Sequence, residues 1–96
     1  MIDEKTQKTI LDTLHPYEPV NVGIFGSYAR NEATPDSDLD ILASFNKKIN
    51  LLDLIGLEMT LSEKIGHKVQ LVTERSLNPH IKPYIEKDLI KILGEG

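Results

Sequence analysis

The sequence predicts an α+β fold, in which helices flank a small mixed sheet of three strands, with a fourth strand left open as an alternative. Two observations predict it. In three short segments apolar residues either alternate with polar ones or form a continuous run, as they do in strands, and in longer segments apolar residues recur at helical spacing. The two kinds of segment alternate along the chain. Because its 96 residues suffice for one core, we expect residues 1–96 to form a single domain.

The first half of the chain predicts a helix, a strand and a sharp turn. Residues 3–14 suit a helix with Asp3 as N-cap, which His15-Pro16 should end because the residue before proline avoids helical geometry. Residues 20–25 alternate as a first strand. Gly26-Ser27 then predicts a tight turn, followed by one helical turn at 28–31 and a loop at 32–37.

The second half predicts two strands and two helices. Residues 38–45 form the second strand and residues 68–72 the third. Between them, residues 50–65 carry an apolar stripe at helical spacing, with Asn50 as N-cap and Gly66 at the C-terminal end. A final amphipathic helix is expected from Ile81, Ile85, Leu89 and Ile92, ending at Gly94.

Composition narrows the function classes. The chain has 40% hydrophobic and 27% charged residues, which is typical of a globular protein, and no cysteine for disulfides or thiolate metal sites. Its longest apolar run is three residues and its first residues do not resemble a signal peptide, so we expect a cytoplasmic protein without membrane association. The net charge of −4 argues against direct nucleic-acid binding.

Acidic residues are concentrated in one stretch. Residues 30–45 hold one arginine and four acidic residues, which account for most of the excess negative charge. Two of them, Asp38 and Asp40, lie two apart at the start of a strand and should share one face. Carboxylates at that spacing can reach a divalent cation, and all-oxygen ligands favour Mg²⁺ or Mn²⁺. The alternative is a solvated acidic loop at a strand end.

Gly26-Ser27 could supply a phosphate-binding turn beside this metal site. Glycine allows the backbone to approach a phosphate closely, and a serine that opens a helix offers hydroxyl and N–H donors. Alone, the pair is an ordinary turn or helix cap. Ten residues separate it from Asp38, and this order along the chain predicts a phosphate-binding turn beside a metal site.

Residues 26–41, Gly-Ser-Tyr-Ala-Arg-Asn-Glu-Ala-Thr-Pro-Asp-Ser-Asp-Leu-Asp-Ile, resemble the signature of minimal nucleotidyltransferases, which belong to the DNA polymerase β-like superfamily. The resemblance continues through residues 51–57 and 68–73. It implies the nucleotidyltransferase fold and the attack of a hydroxyl on the α-phosphate of ATP or another NTP. It also implies roles for particular residues. Asp38 and Asp40 would bind Mg²⁺ or Mn²⁺ and take part in catalysis. The residues that would bind the nucleotide are Gly26, Ser27, Arg30 and Ser37.

One position departs from the family pattern. Gln70 stands where the family has a third carboxylate. An amide oxygen can coordinate a metal, but it brings no charge and cannot act as a general base. Either Gln70 weakens catalysis, or it is an ordinary strand residue and a neighbour substitutes for it. The role of Arg30 also has two alternatives: its side chain either contacts phosphate or forms a plain ion pair with Glu32 or Asp36.

The resemblance also implies a partner. Similar proteins pair with a small helical HEPN-type toxin as the antitoxin of a toxin–antitoxin module, and better-understood members transfer AMP to a tyrosine of that toxin. Catalysis is therefore one hypothesis. A second is a catalytically weakened nucleotide-binding protein that neutralises its partner sterically. The third, a structural domain without a nucleotide site, would require the Gly-Ser and Asp-x-Asp elements to coincide by chance.

Overall fold

The computed structural model describes residues 2–94. Within that range the chain forms four helices and four strands, joined in part by short 3₁₀ turns at His15–Tyr17 and Glu74–Ser76. In chain order the elements are α1 (Glu4–Leu14), β1 (Pro19–Phe25), α2 (Gly26–Ala29), β2 (Leu39–Phe45), α3 (Leu51–Ile65), β3 (Val69–Thr73), α4 (Lys82–Asp88) and β4 (Ile90–Leu93).

The strands form one mixed sheet in the order β3-β2-β1-β4. β1 runs antiparallel to both β2 and β4, whereas β2 and β3 are parallel. The predicted α+β fold is confirmed, with the four-stranded alternative. The parallel pair places the beginnings of β2 and β3 at the same end of the sheet, where β1 ends.

The predicted helix starts are confirmed. Asp3 caps α1, because its Oδ1 accepts the Thr6 N–H at 2.8 Å. Asn50 and Asp53 form a reciprocal capping box at α3, with N···O distances of 2.8 and 3.2 Å. Gly66 ends α3 in the left-handed region, at φ 80°.

One face of the sheet carries the main core. α1 and α3 pack against each other and the sheet, and the alternating side chains of the strands point at them. The buried members of this cluster are Ile10, Leu14, Val22, Ile24, Leu39, Ile41, Ala43, Leu57, Leu61, Val69 and Leu71. Because the odd positions of β2 and β3 are buried here, their even positions face the opposite side.

On that opposite face, Gly23 receives the side chain of Leu89. A Cβ at Gly23 would lie 2.6 Å from Leu89 Cδ1, so the close approach of the α4–β4 junction requires glycine. Leu42 is also buried, at 2% exposure, but lies outside the main cluster. The second face is therefore partly covered near the middle of β1.

The end of the chain corrects one sequence expectation. The helix predicted to extend through Ile92 stops at Asp88, and Leu89 is extended. Residues 90–93 instead form β4, which pairs with β1. The spacing of Ile85, Leu89 and Ile92 fits a helix, but the open edge of β1 offers this β-prone segment a ladder of backbone hydrogen bonds. The helical turn predicted at 28–31 instead spans Gly26–Ala29, and Asn31 adopts φ 60°, outside the helical region.

Candidate nucleotide and metal site

The turn between β1 and α2 lies directly against β2. Gly26 adopts φ 74°, a conformation that side chains rarely tolerate. A Cβ at this position would collide with the carboxylate oxygen Oδ2 of Asp40. Two separate reasons thus require glycine here, and the backbone of the Gly-Ser turn meets an aspartate of the Asp-x-Asp pair.

Asp40 is held between the neighbouring strands. It pairs in register with Phe25 of β1 on one side and with Gln70 of β3 on the other. Asp38 precedes β2 by one residue and is half-buried. Its position two residues before Asp40 places both carboxyl groups at the same end of the sheet.

The surroundings of Asp40 disfavour the negative charge of its carboxyl group. Burial raises the pKa of the Asp40 carboxyl above its ordinary value, and the charge of Asp38 raises it further. Arg30 acts in the opposite direction but does not reverse the shift. Two partly desolvated carboxylates that repel each other are a favourable environment for a cation.

Gln70 lies on the same face of the sheet as Asp40. Its neighbours Val69 and Leu71 point into the core, whereas Gln70 is exposed on the other face. The parallel register places Gln70 directly beside Asp40. The structure therefore brings the amide to the edge of the Asp pair, as its alternation in β3 predicts.

Arg30 follows α2 and is bound by two acids. Its Nε lies 3.4 Å from Glu32 and its Nη1 3.5 Å from Asp88. Of the two alternatives for Arg30, the structure contains the ion pair with Glu32, and the second acid is Asp88 rather than Asp36. Asp88 was not identified from the sequence, because only the packing of α4 near α2 brings it to Arg30.

The two serines differ in their surroundings. Ser37 closes the turn at Thr34: its Oγ accepts the Thr34 N–H at 2.9 Å, and its own N–H donates to the Thr34 carbonyl at 3.0 Å. The Ser27 hydroxyl makes no hydrogen bond within residues 2–94, although the Ser27 carbonyl accepts the Glu32 N–H. Ser27 therefore keeps a donor for a ligand, whereas Ser37 already has a structural role.

The donor set fits a hard divalent cation. It consists of the carboxylates of Asp38 and Asp40 and the amide oxygen of Gln70, all oxygen ligands of the kind that Mg²⁺ prefers. Among residues 2–94, no group of three or more acidic, histidine or cysteine side chains could hold a metal. No neighbouring carboxylate thus completes such a group in place of Gln70.

The model of the nucleotidyltransferase domain family matches residues 4–92. This chain belongs to the nucleotidyltransferase domain family. The matched range spans every helix and includes all the site residues described above, from Gly26 to Gln70.

Two relatives agree with this assignment. The nucleotidyltransferase is 46% identical over 92 residues to a Methanocaldococcus jannaschii protein named "Putative protein adenylyltransferase", covering 95% of this chain and 94% of the relative. It is 39% identical over 71 residues to "Protein adenylyltransferase MntA" of Thermococcus cleftensis, covering 74% of this chain and 72% of the relative.

Solved structures share the fold. One described as a toxin-antitoxin with AMP-PNP superposes with a TM-score of 0.84 at 20% identity, covering 98% of this chain and 75% of the other. Another is described as a tri-AMPylated Shewanella oneidensis HEPN toxin in complex with an MNT antitoxin, with a TM-score of 0.79 at 18% identity, covering 98% of this chain and 74% of the other.

In the part of the chain that the structure describes, none of the helices has the length and apolar character needed to cross a membrane.

Proposed function

We propose that this nucleotidyltransferase transfers AMP from ATP to a hydroxyl of a HEPN-type toxin and acts as its antitoxin. The contact between the Gly26 backbone and the Asp40 carboxylate carries the proposal, because it joins a phosphate-binding turn to a cation site. The relative named protein adenylyltransferase MntA supports the choice of AMP. The structural neighbours described as toxin–antitoxin complexes support the choice of partner.

Each residue would have a distinct role. Gly26 leaves room for the Asp40 carboxylate against the turn, and Ser27 would donate its free hydroxyl to a phosphate. Arg30, and more peripherally Ser37, would lie beside the nucleotide. Asp38 and Asp40 would hold Mg²⁺, which supplies positive charge to the phosphate oxygens when it is bound. Because the chemistry of phosphoryl-type transfer depends mainly on positioning and electrostatics, this short chain can contribute both.

The acceptor hydroxyl would come from the partner. A hydroxyl must lose its proton as it attacks the α-phosphate, and pyrophosphate leaves with the electron pair of the broken P–O bond. Gln70 has no basic group to receive that proton. The proposal therefore retains a second candidate, in which the same site binds nucleotide but transfers slowly, and the protein neutralises its partner by steric binding in the cytoplasm.

The test is transfer of labelled AMP to a co-purified HEPN partner in a single turnover. We expect the partner to be labelled by the wild type and not by the double variant Asp38→Asn with Asp40→Asn. Asp36→Asn is the matched control, because it makes the same chemical change at an exposed residue of the same acidic stretch and should leave transfer intact.

Two outcomes would contradict parts of the proposal. If the wild type binds and neutralises the partner without labelling it, the steric candidate replaces catalysis. If the double variant labels the partner as fast as the wild type, the assignment of Asp38 and Asp40 is wrong.

A further inference from the structure

A cavity lies at the other end of the sheet from Asp40. It has a volume of about 470 Å³ and lies where the parallel strands β2 and β3 end. Its wall includes Lys47, Lys48 and Arg75, together with Ser44, Phe45 and Ile49. Phe45 lies five positions after Asp40 along the extended β2 strand, which amounts to about 16 Å at roughly 3.3 Å per residue. The cavity is therefore separate from the nucleotide site.

The charges around this cavity are segregated. Lys47, Lys48 and Arg75 line it, and none of its lining residues is acidic, although the whole chain has a net charge of −4. Glu74, next to Arg75 in the chain, lines a different cavity. The 3₁₀ turn thus directs its cation and its acid into separate cavities.

Two of the three cations are available for a ligand. Lys47 lies 3.6 Å from Glu18, and both side chains are more than half exposed, so this pair is weak. Within residues 2–94, Lys48 and Arg75 belong to no ion pair. Arg75 offers a planar fork of donors and Lys48 a point charge, which together suit neighbouring phosphate oxygens.

A hydroxyl group adds a neutral donor. Ser44 Oγ accepts a hydrogen bond from Asn21 Nδ2 at 3.2 Å, so its own proton remains available to a ligand. The hydroxyls of Thr73 and Ser76 are already bonded to each other and to the Thr73 carbonyl and hold the turn that carries Arg75. Phe45 and Ile49 supply an apolar wall.

We propose that this cavity binds a small ligand with two adjacent phosphate groups. The three cations and the Ser44 hydroxyl match such an anion, and the volume falls within the range of about 300–1,000 Å³ that is usual for small-molecule sites. The shared chemistry is a diphosphate, whose source is either free pyrophosphate or a nucleoside diphosphate. The proposal is independent of the transfer reaction, because none of its residues contacts the Gly-Ser turn or the Asp pair.

The experiment follows backbone amide shifts by NMR during titration with pyrophosphate and, separately, ADP. Both titrations use the Asp38→Asn, Asp40→Asn background without divalent cations, which disables the other site. We expect saturable shifts at residues 44–50 and 73–76. Tighter binding of ADP would identify a nucleotide as the source, whereas equal binding would identify the diphosphate alone.

Variants separate a specific site from general attraction to positive charge. Lys48→Gln with Arg75→Gln should weaken pyrophosphate binding at least tenfold. Lys5→Gln with Lys8→Gln, on exposed positions of α1, changes the net charge equally and should leave it unchanged. Lys48→Arg with Arg75→Lys preserves both charges and should weaken binding less than the double Gln variant does.

The proposal is overturned by any of three results. These are shifts confined to residues 26–30 and 38–40, no saturable shifts at all, or an equal loss of affinity in the α1 control variant. The dispersion of each variant's amide spectrum reports whether it is folded, so that a loss of binding is not mistaken for unfolding.

Discussion

At the scale of single residues, the site depends on pairs whose members constrain each other. Gly26 must be glycine both for its backbone angle and for the carboxylate of Asp40 that lies against it. Asp40 in turn is flanked in register by Gln70. The identity of each residue could be interpreted from the sequence, whereas the contact between them depends on the pairing of β1 with β2.

Replacing Gln70 by Asp should increase the rate of AMP transfer to the partner. The substitution adds a negative charge beside Asp40 and a group that favours deprotonation of the attacking hydroxyl. We expect at least a tenfold gain in single-turnover rate, about 1.4 kcal/mol off the barrier, with little change in Mg²⁺-ATP affinity. Gln70→Asn is the matched control, because Asn is as long as Asp but carries no charge, and it should show no gain in rate. A wild type that is already fast, with no gain in Gln70→Asp, would show that Gln70 is no handicap.

Replacing Asp40 by Asn should stabilise the metal-free protein at neutral pH. Because the pKa of Asp40 is raised in the folded state, mainly by burial and then by Asp38, its ionised form opposes folding. The advantage of Asn should shrink as pH falls through the raised pKa and vanish when the carboxyl is protonated in both states. Thermal melts in a chelator at several pH values measure this, and a constant difference across pH would contradict it.

At the scale of elements, side chains of α3 accept hydrogen bonds from the outer edge of the sheet. β3 is an edge strand, and its outward N–H groups at Val69 and Leu71 donate to Ser62 Oγ and Glu58 Oε2 at 3.0 and 2.7 Å. Ser62 and Glu58 are four residues apart and so lie on one side of the helix. This arrangement satisfies two N–H groups on the edge of β3, makes the pairing of that edge with another chain less favourable, and holds the strand that carries Gln70.

Replacing Gly23 by Ala should destabilise the junction between α4 and β4. The added methyl group would meet Leu89 and, at 3.2 Å, the carbonyl of Ile90. Overpacking of this kind costs about 1–3 kcal/mol, measurable as a shift in the urea midpoint. In a Leu89→Ala background the same substitution should cost less, because the clashing side chain is gone. Equal costs in both backgrounds would show that Leu89 is not the obstacle.

At the scale of the whole molecule, the two candidate sites lie at opposite ends of one sheet. The Asp pair lies where β1 ends and β2 and β3 begin, and the cations of the cavity lie where β2 and β3 end. The main core between them, on the α1 and α3 face, contains neither group. Each end can therefore bind its ligand without sharing side chains with the other.

Binding of Mg²⁺-ATP should stabilise the whole fold. A ligand that binds only the folded state at a hundred times its Kd adds about 2.7 kcal/mol to the free energy of unfolding. We expect a corresponding rise in melting temperature, and none in the Asp38→Asn, Asp40→Asn variant. Asp36→Asn should behave as the wild type. A rise that persists in the double variant would place the nucleotide elsewhere.

The sequence by itself determined the local features of this protein. It determined the caps at Asp3 and Asn50, the turn at Gly26, and the alternation that presents Gln70 away from the core, because each depends on residues only a few positions apart. The tertiary structure alone decided three others: that residues 90–93 form a strand, that Asp88 pairs with Arg30, and that Lys48 and Arg75 share a cavity. Their energies come from contacts between segments distant in the chain, so no local pattern records them.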